Sequence, residues 1–278
     1  MDLYNDVSFK TSKLITHRYS TSFSIAVSLL SDEMRQAIYS IYGFVRLADE
    51  IVDSFHDIDQ ELILNKFERD FYDALQEGIS MNPAIHCFVL TVKRYDIPTR
   101  LVDSFLKSMK TDLHKQTYRN CSELNEYIYG SADVVGLMCL KVFVNGNEEM
   151  YTHLEQPAMK LGSAFQKVNF LRDLKADVEE LDRSYFPQFR IDSFNDTVKN
   201  ELISDIENDF QEAYKGMKQL PPQAKLAVYI AFVYYKQLLR NLQCTPSQKI
   251  MKERVRVSSP VKLMLLCKAY VKFQLNMI

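Results

Sequence analysis

The stretch Leu161–Asp177, LGSAFQKVNFLRDLKAD, limits the possible folds more than any other. At 100° per residue, Gln166, Asn169, Asp173 and Asp177 fall within about 60° of one another on a helix. Phe165, Val168, Phe170 and Leu171 occupy much of the remaining circumference, so both flanks of this polar stripe face apolar surroundings. A solvated surface helix does not have that pattern. Buried, unpaired carboxylates are costly, so the stripe needs a counter-charge or a wet internal cavity.

Tyr42–Asp53, YGFVRLADEIVD, has the same construction. Tyr42, Arg46, Asp49 and Asp53 stand at i, i+4, i+7 and i+11, and Phe44, Val45, Ile51 and Val52 surround them. One Asp-x-x-x-Asp on a helix is ordinarily a solvated face. Two of them, each aligned with further polar groups on an apolar helix, predict stripes that face each other across a cavity with divalent metal between.

The rest of the chain suits that expectation. With 278 residues, 47% hydrophobic, there is ample chain for a large core. A formal charge of −2 argues against a nucleic-acid partner, which calls for a basic surface. Seven Gly and eight Pro favour helices with short connections. The five cysteines are scattered, with no C-x-x-C, as reduced thiols would be. MDLYNDVSFK has no apolar signal core, and the apolar run Leu226–Tyr235 is too short to span a bilayer. The expectation is a soluble cytoplasmic protein.

Two-residue alternation is scarce and three-and-four spacing recurs, so the chain reads as one all-α domain over residues 1–278. Helices of roughly 15–25 residues are expected between turn marks at Ser31-Asp32, Gly78–Pro83, Asp96–Pro98, Asn145–Asn147, Pro187, Pro221-Pro222, Pro246 and Pro260. Ser31 suits an N-cap, Pro157 the first turn of the central helix, and Arg183–Thr197 the longest loop.

Four carboxylates around one cavity repel unless cations lie among them. Oxygen-only ligation points to Mg²⁺ or Mn²⁺ and away from zinc. Mg²⁺ prefers to bridge carboxylates to phosphates, so a polyphosphate ligand is expected, with Arg46 able to bind its oxygens. A di-iron bundle would need Glu-x-x-His pairs, which this sequence does not contain.

These motifs resemble the phytoene/squalene synthase family of head-to-head prenyl diphosphate synthases, nearly end to end. YGFVRLADEIVD matches its first aspartate motif. QKVNFLRDLKAD followed by Arg183-Ser-Tyr185-Phe-Pro187 matches the second motif and its flap. Tyr19–Phe23 and Tyr127–Gly136 resemble two further elements. The resemblance implies an isoprenoid-synthase helical bundle with a central cavity. It implies Mg²⁺ on Asp49, Asp53, Asp173 and Asp177, and diphosphate oxygens on Ser22, Arg46 and the long Arg172. It makes Gln166 and Asn169 cavity amides and Tyr42 a substrate contact, with Tyr127 and Tyr129 near the reacting carbons. Arg183 and Tyr185 would meet substrate from the flap. Asp133 and Val134 depart from the family's small residues and place a carboxylate near the site, as metal ligand, proton acceptor or outward-facing group. Asp112 is expected at the surface.

The implied reaction joins two geranylgeranyl diphosphates through a cyclopropyl diphosphate to phytoene, without NADPH. Farnesyl diphosphate, giving dehydrosqualene or squalene, is the alternative, and a non-catalytic assembly factor of the same fold is a third. Since the product is water-insoluble, Lys262–Leu275, with Leu263, Leu266, Tyr270 and Phe273 among lysines, is a candidate lipid contact. A terminal helix packed on the core is the favoured reading of that stretch.

Overall fold

The three-and-four spacing becomes helix throughout a computed structural model that describes residues 1–115, 117–179, 185–186 and 193–278, the side chains of 176–179 excepted. The helices run α1 (Asp2–Tyr19), α2 (Thr21–Val27), α3 (Asp32–Ser54), α4 (Gln60–Glu77), α5 (Pro83–Arg94), α6 (Thr99–Asp112) and α7 (Cys121–Ile128). A π-turn (Tyr129–Asp133) leads into α8 (Val134–Val144). Beyond it come α9 (Glu148–Glu179), α10 (Asp196–Met217), α11 (Pro222–Cys244), the short α12 (Ser247–Ile250) and α13 (Ser259–Gln274). No strand forms among the described residues.

The sequence punctuation ends most of these helices. Asp59, Asn82, Asn120 and Asn195 accept backbone N–H groups at the starts of α4, α5, α7 and α10. Gly78 closes α4 in the left-handed region at φ 85°. Ser31 occupies the N-cap of α3 without a side-chain bond, leaving Asp32 and Glu33 to favour the first turn through the helix dipole.

The central helix differs from expectation. It begins at Glu148, so Pro157 lies inside it instead of in its first turn. Asn147 Oδ1 accepts from Met150 N at 2.9 Å and starts the helix early. The proline ring fits because α10 presents Gly216 to it: a Cβ there would stand 2.3 Å from Pro157 Cβ.

Two aromatic-rich cores form. One gathers α3–α6 around Phe44, fully buried, with the rings of Phe88, Phe67 and Phe71 at 4.2, 4.8 and 5.4 Å. The other joins α7, α9, α10 and α11 through Val168, Phe170, Phe210 and Leu238. Cys121–Val144 is long and apolar enough to cross a membrane, yet 61% of its apolar window is buried inside the protein.

Candidate active site

A cavity of about 800 Å³ takes its walls from both cores and is lined by α2, α3, α8, α9, α10, α11 and the segment 254–257. Its chemistry changes along the helices. On α3 the lining passes from Ile38 to Tyr42, Arg46 and Asp49; on α9 it passes from Leu154 and Leu161 to Gln166, Asn169 and Arg172. The polar portions face each other, because the Tyr235 hydroxyl on α11 donates to Asn169 Oδ1 at 3.3 Å and lies close enough to Tyr42 to perturb it electrostatically. Burial, resisted by Arg46, pushes the Tyr42 hydroxyl up to about 12, so it stays a proton donor. Leu30, Leu140, Phe143, Met217 and Leu220 supply apolar wall.

Arg46 Nη2 donates to Glu50 at 2.8 Å, Nη1 stands 3.8 Å from Asp49, and the guanidinium lies 4.4 Å over the Tyr19 ring. Among the described residues Arg46 Nε is buried with no hydrogen-bond acceptor. Desolvation raises the Asp49 carboxyl to about 7 against the pull of Arg46, with Asp53, Asp112 and Glu50 adding to the rise. On α9, Asp173 accepts from Arg172 Nε at 2.9 Å and from Arg254 Nε at 2.7 Å. Both arginines line the cavity.

Ser22, Tyr42, Arg46, Asp49, Gln166, Asn169 and Arg172 therefore meet at one cavity, and Asp173 is tied to it by its two arginines. The side chain of Asp177 and all of Arg183 lie outside the described residues. No group of three or more metal-type ligands assembles among the described residues. The oxygen-only donors and the mutual repulsion around Asp49 nonetheless fit a hard divalent cation.

Other expected residues are not among the lining residues of this cavity. Tyr127 is buried off the cavity, donating to Asp112 Oδ2 at 2.8 Å. Asp112 is thus a buried acceptor and not a surface residue. Tyr129 packs beside the α3–α6 core, and the π-turn presents Ser131 and Ala132 to the cavity in its place. An extra residue in a turn rotates the helix beyond it, a shift that regular 100° spacing does not anticipate. Tyr185 is buried, its ring stacked 3.9 Å from Phe170, and is not among the lining residues. Asp133 is buried and accepts from Ser163 at 2.8 Å, so it neither points outward nor lines the cavity.

Arg254 and Arg256 also line the cavity, and local helical spacing does not point to them. Val255 and Val257 of the same Arg-Val-Arg-Val stretch line it too, so the alternation in the sequence does not single out the arginines. Tyr235 is hidden inside an apolar run.

An all-α chain around such a cavity defines a class that solved structures share. A dehydrosqualene synthase in complex with ligand superposes with a TM-score of 0.82 at 22% identity, covering 97% of this chain and 98% of that one. A squalene synthase from Alicyclobacillus acidocaldarius gives 0.76 at 19% identity, over 90% and 97% of the two chains. The fold is that of the isoprenoid synthases. In sequence the chain is 28% identical to phytoene synthase 1 of Zea mays, over 93% of this chain and 67% of that one. It is 26% identical to the 15-cis-phytoene synthase of Synechocystis, over 96% and 85%. The chain spans about two thirds of the length of the plant relatives. The family model described as squalene/phytoene synthase matches residues 16–260, and the chain belongs to that family of prenyltransferases.

Proposed function

We propose that this protein condenses two prenyl diphosphates head to head, with geranylgeranyl diphosphate as substrate and phytoene as product. The observation that carries the reading is one cavity that holds four arginines and Asp49 along one part of its wall and continuous apolar side chains along another. Its volume is near the upper end for small-molecule sites, which suits long or paired tails.

Each substrate loses one diphosphate and the pair loses two protons. Arg46 and Arg172 bind diphosphate oxygens, Arg46 being pre-oriented over Tyr19 with its Nε still lacking an acceptor among the described residues. Asp49 and Asp173, with Asp53 and Asp177 included from the sequence motifs, would hold a divalent cation that would supply Lewis-acid neutralisation of the leaving group. Departure leaves an allylic cation, which the double bond of the second substrate attacks; loss of one proton closes the ring and gives a cyclopropyl diphosphate. A second ionisation, rearrangement and proton loss give the polyene. Leu140, Phe143, Phe165 and Met217 keep water from trapping the cations. Gln166 and Asn169 hold the polar end in register, Asn169 through Tyr235.

The test supplies Mg²⁺ with farnesyl or geranylgeranyl diphosphate, with and without NADPH, and identifies the extracted hydrocarbon by mass. Phytoene from geranylgeranyl diphosphate without reductant is expected. Activity with farnesyl diphosphate alone would favour the dehydrosqualene reading, which the high structural similarity to a dehydrosqualene synthase keeps in view. No hydrocarbon from either substrate would return the chain to a non-catalytic role.

A further inference from the structure

Charge is unevenly distributed along the chain. From residue 213 to the C-terminus there are twelve Lys and Arg against one acid, Glu253, whereas the preceding 212 residues carry 22 against 35. This basic portion includes α11, the cavity-lining segment 254–257 and α13, which packs against α11.

α13 has two apolar faces. Leu266, Phe273 and the buried Ala269 turn inward to the α9–α11 core, and Lys262 on that side reaches the cavity lining. This corrects the expectation that Leu266 and Phe273 share an outer face with Leu263 and Tyr270. Leu263, Met264, Tyr270, Val271 and Leu275 are 62, 57, 50, 55 and 64% exposed. At 100° per residue they form one outward stripe about 140° wide, with exposed Cys267 and Gln274 between them. Exposed Lys268 and half-buried Lys272 border it. An ordinary surface helix turns its polar residues outward; this one reverses the rule over five large apolar side chains.

We propose that the outer face of α13 docks on an anionic lipid bilayer. The apolar stripe would enter the acyl boundary while Lys268, Lys272 and the neighbouring basic segment meet the headgroups. Charge complementarity selects this occupant: a second copy of the chain would bring one basic face against another. Lys262, on the inner side of α13, lines the cavity together with Val255 and Val257, so docking leaves the cavity one helix away from the bilayer. The inference rests on the prenyltransferase reading only for why that is useful: both the tails and the hydrocarbon product partition into lipid.

The test is flotation of the full chain with phosphatidylglycerol-containing vesicles and with phosphatidylcholine vesicles. Binding to the anionic vesicles is expected. The combined change Leu263→Gln, Val271→Gln and Leu275→Gln should lower it tenfold or more with the circular dichroism spectrum unchanged. Lys268→Gln with Lys272→Gln should lower it severalfold and mimic the effect of added salt. Absence of wild-type binding, or equal binding by wild type and both variants, overturns the proposal. So does a wild-type dimer in sedimentation that the apolar variant dissociates while neither form binds vesicles. Turnover of detergent-dispersed substrate is measured alongside: its failure refutes the enzymatic reading and leaves the vesicle result to judge the docking face.

Discussion

Gly216→Ala is the sharpest test of how α9 and α10 meet. The added Cβ would lie 2.3 and 2.6 Å from Cβ and Cγ of Pro157. Carbon atoms in contact prefer about 3.5–4.0 Å, so one helix must give way by more than 1 Å. The proline ring is fused to the α9 backbone and has no rotamer to retreat into. Overpacking of this sort costs about 1–3 kcal/mol, and the rigidity of the ring argues for the upper end. Replacing a glycine inside a helix with alanine returns roughly 0.5–1 kcal/mol, and no more than that at Gly216, the penultimate residue of α10. The net expectation is a loss of about 2 kcal/mol. At about 2–4 °C per kcal/mol for a chain near this size, melting should fall by roughly 4–8 °C. The assay is urea and thermal unfolding of four proteins: wild type, Gly216→Ala, Pro157→Gly and the double variant. Glycine at position 157 removes both Cβ and Cγ, so in the Pro157→Gly background the clash is gone and Gly216→Ala should become neutral or stabilising. A higher midpoint for the single variant, or the same shift in both backgrounds, would refute the close approach.

Three further predictions concern the carboxylates and the buried tyrosine. Asp49→Asn or Asp173→Asn should abolish turnover with helix content by circular dichroism retained; full activity in either would remove the metal assignment. Tyr127→Phe deletes a hydroxyl bonded to Asp112, off the cavity, and should cost about 1–2 kcal/mol in urea unfolding while kcat falls less than tenfold. A larger fall in kcat would return Tyr127 to the reacting centre. Burial pushes the Asp133 carboxyl up to about 7, with Ser163 opposing and Asp209 adding to the rise. The folded protein then holds a proton that the unfolded chain releases near pH 4, so stability declines as pH rises from about 4 to about 7. Asp133→Asn should be the more stable form at pH 8, by on the order of 2 kcal/mol, with the difference vanishing toward pH 4. Parallel unfolding midpoints at every pH would contradict this.

Whatever a regular helix dictates is legible in the sequence. Arg46, Asp49, Gln166 and Asn169 reach the cavity because α3 and α9 keep a 3.6-residue period through those positions. The π-turn at 129–133 interrupts that period, and local spacing does not anticipate that Ser131 and Ala132 line the cavity. The burial of Asp112 depends on a hydroxyl fifteen residues away on another helix, which local spacing does not encode. Proline favours first turns, so the sequence marks Pro157 as a start; Gly216, distant in sequence, is what admits it mid-helix. Arg254 pairs with Asp173 across 81 residues, and only the folded chain brings them together.

The cavity lies along the border where the Phe44-centred core and the Phe210-centred core come nearest, and side chains such as Ile38 and Met217 look into it from opposite owners. Greasy tails lodged there would act as mortar between two masonry blocks, finishing an interior that the polypeptide alone leaves divided. Substrate affinity and the mechanical unity of the whole chain would then share one origin, and an inert hydrocarbon of suitable length should stiffen the protein without any diphosphate at all.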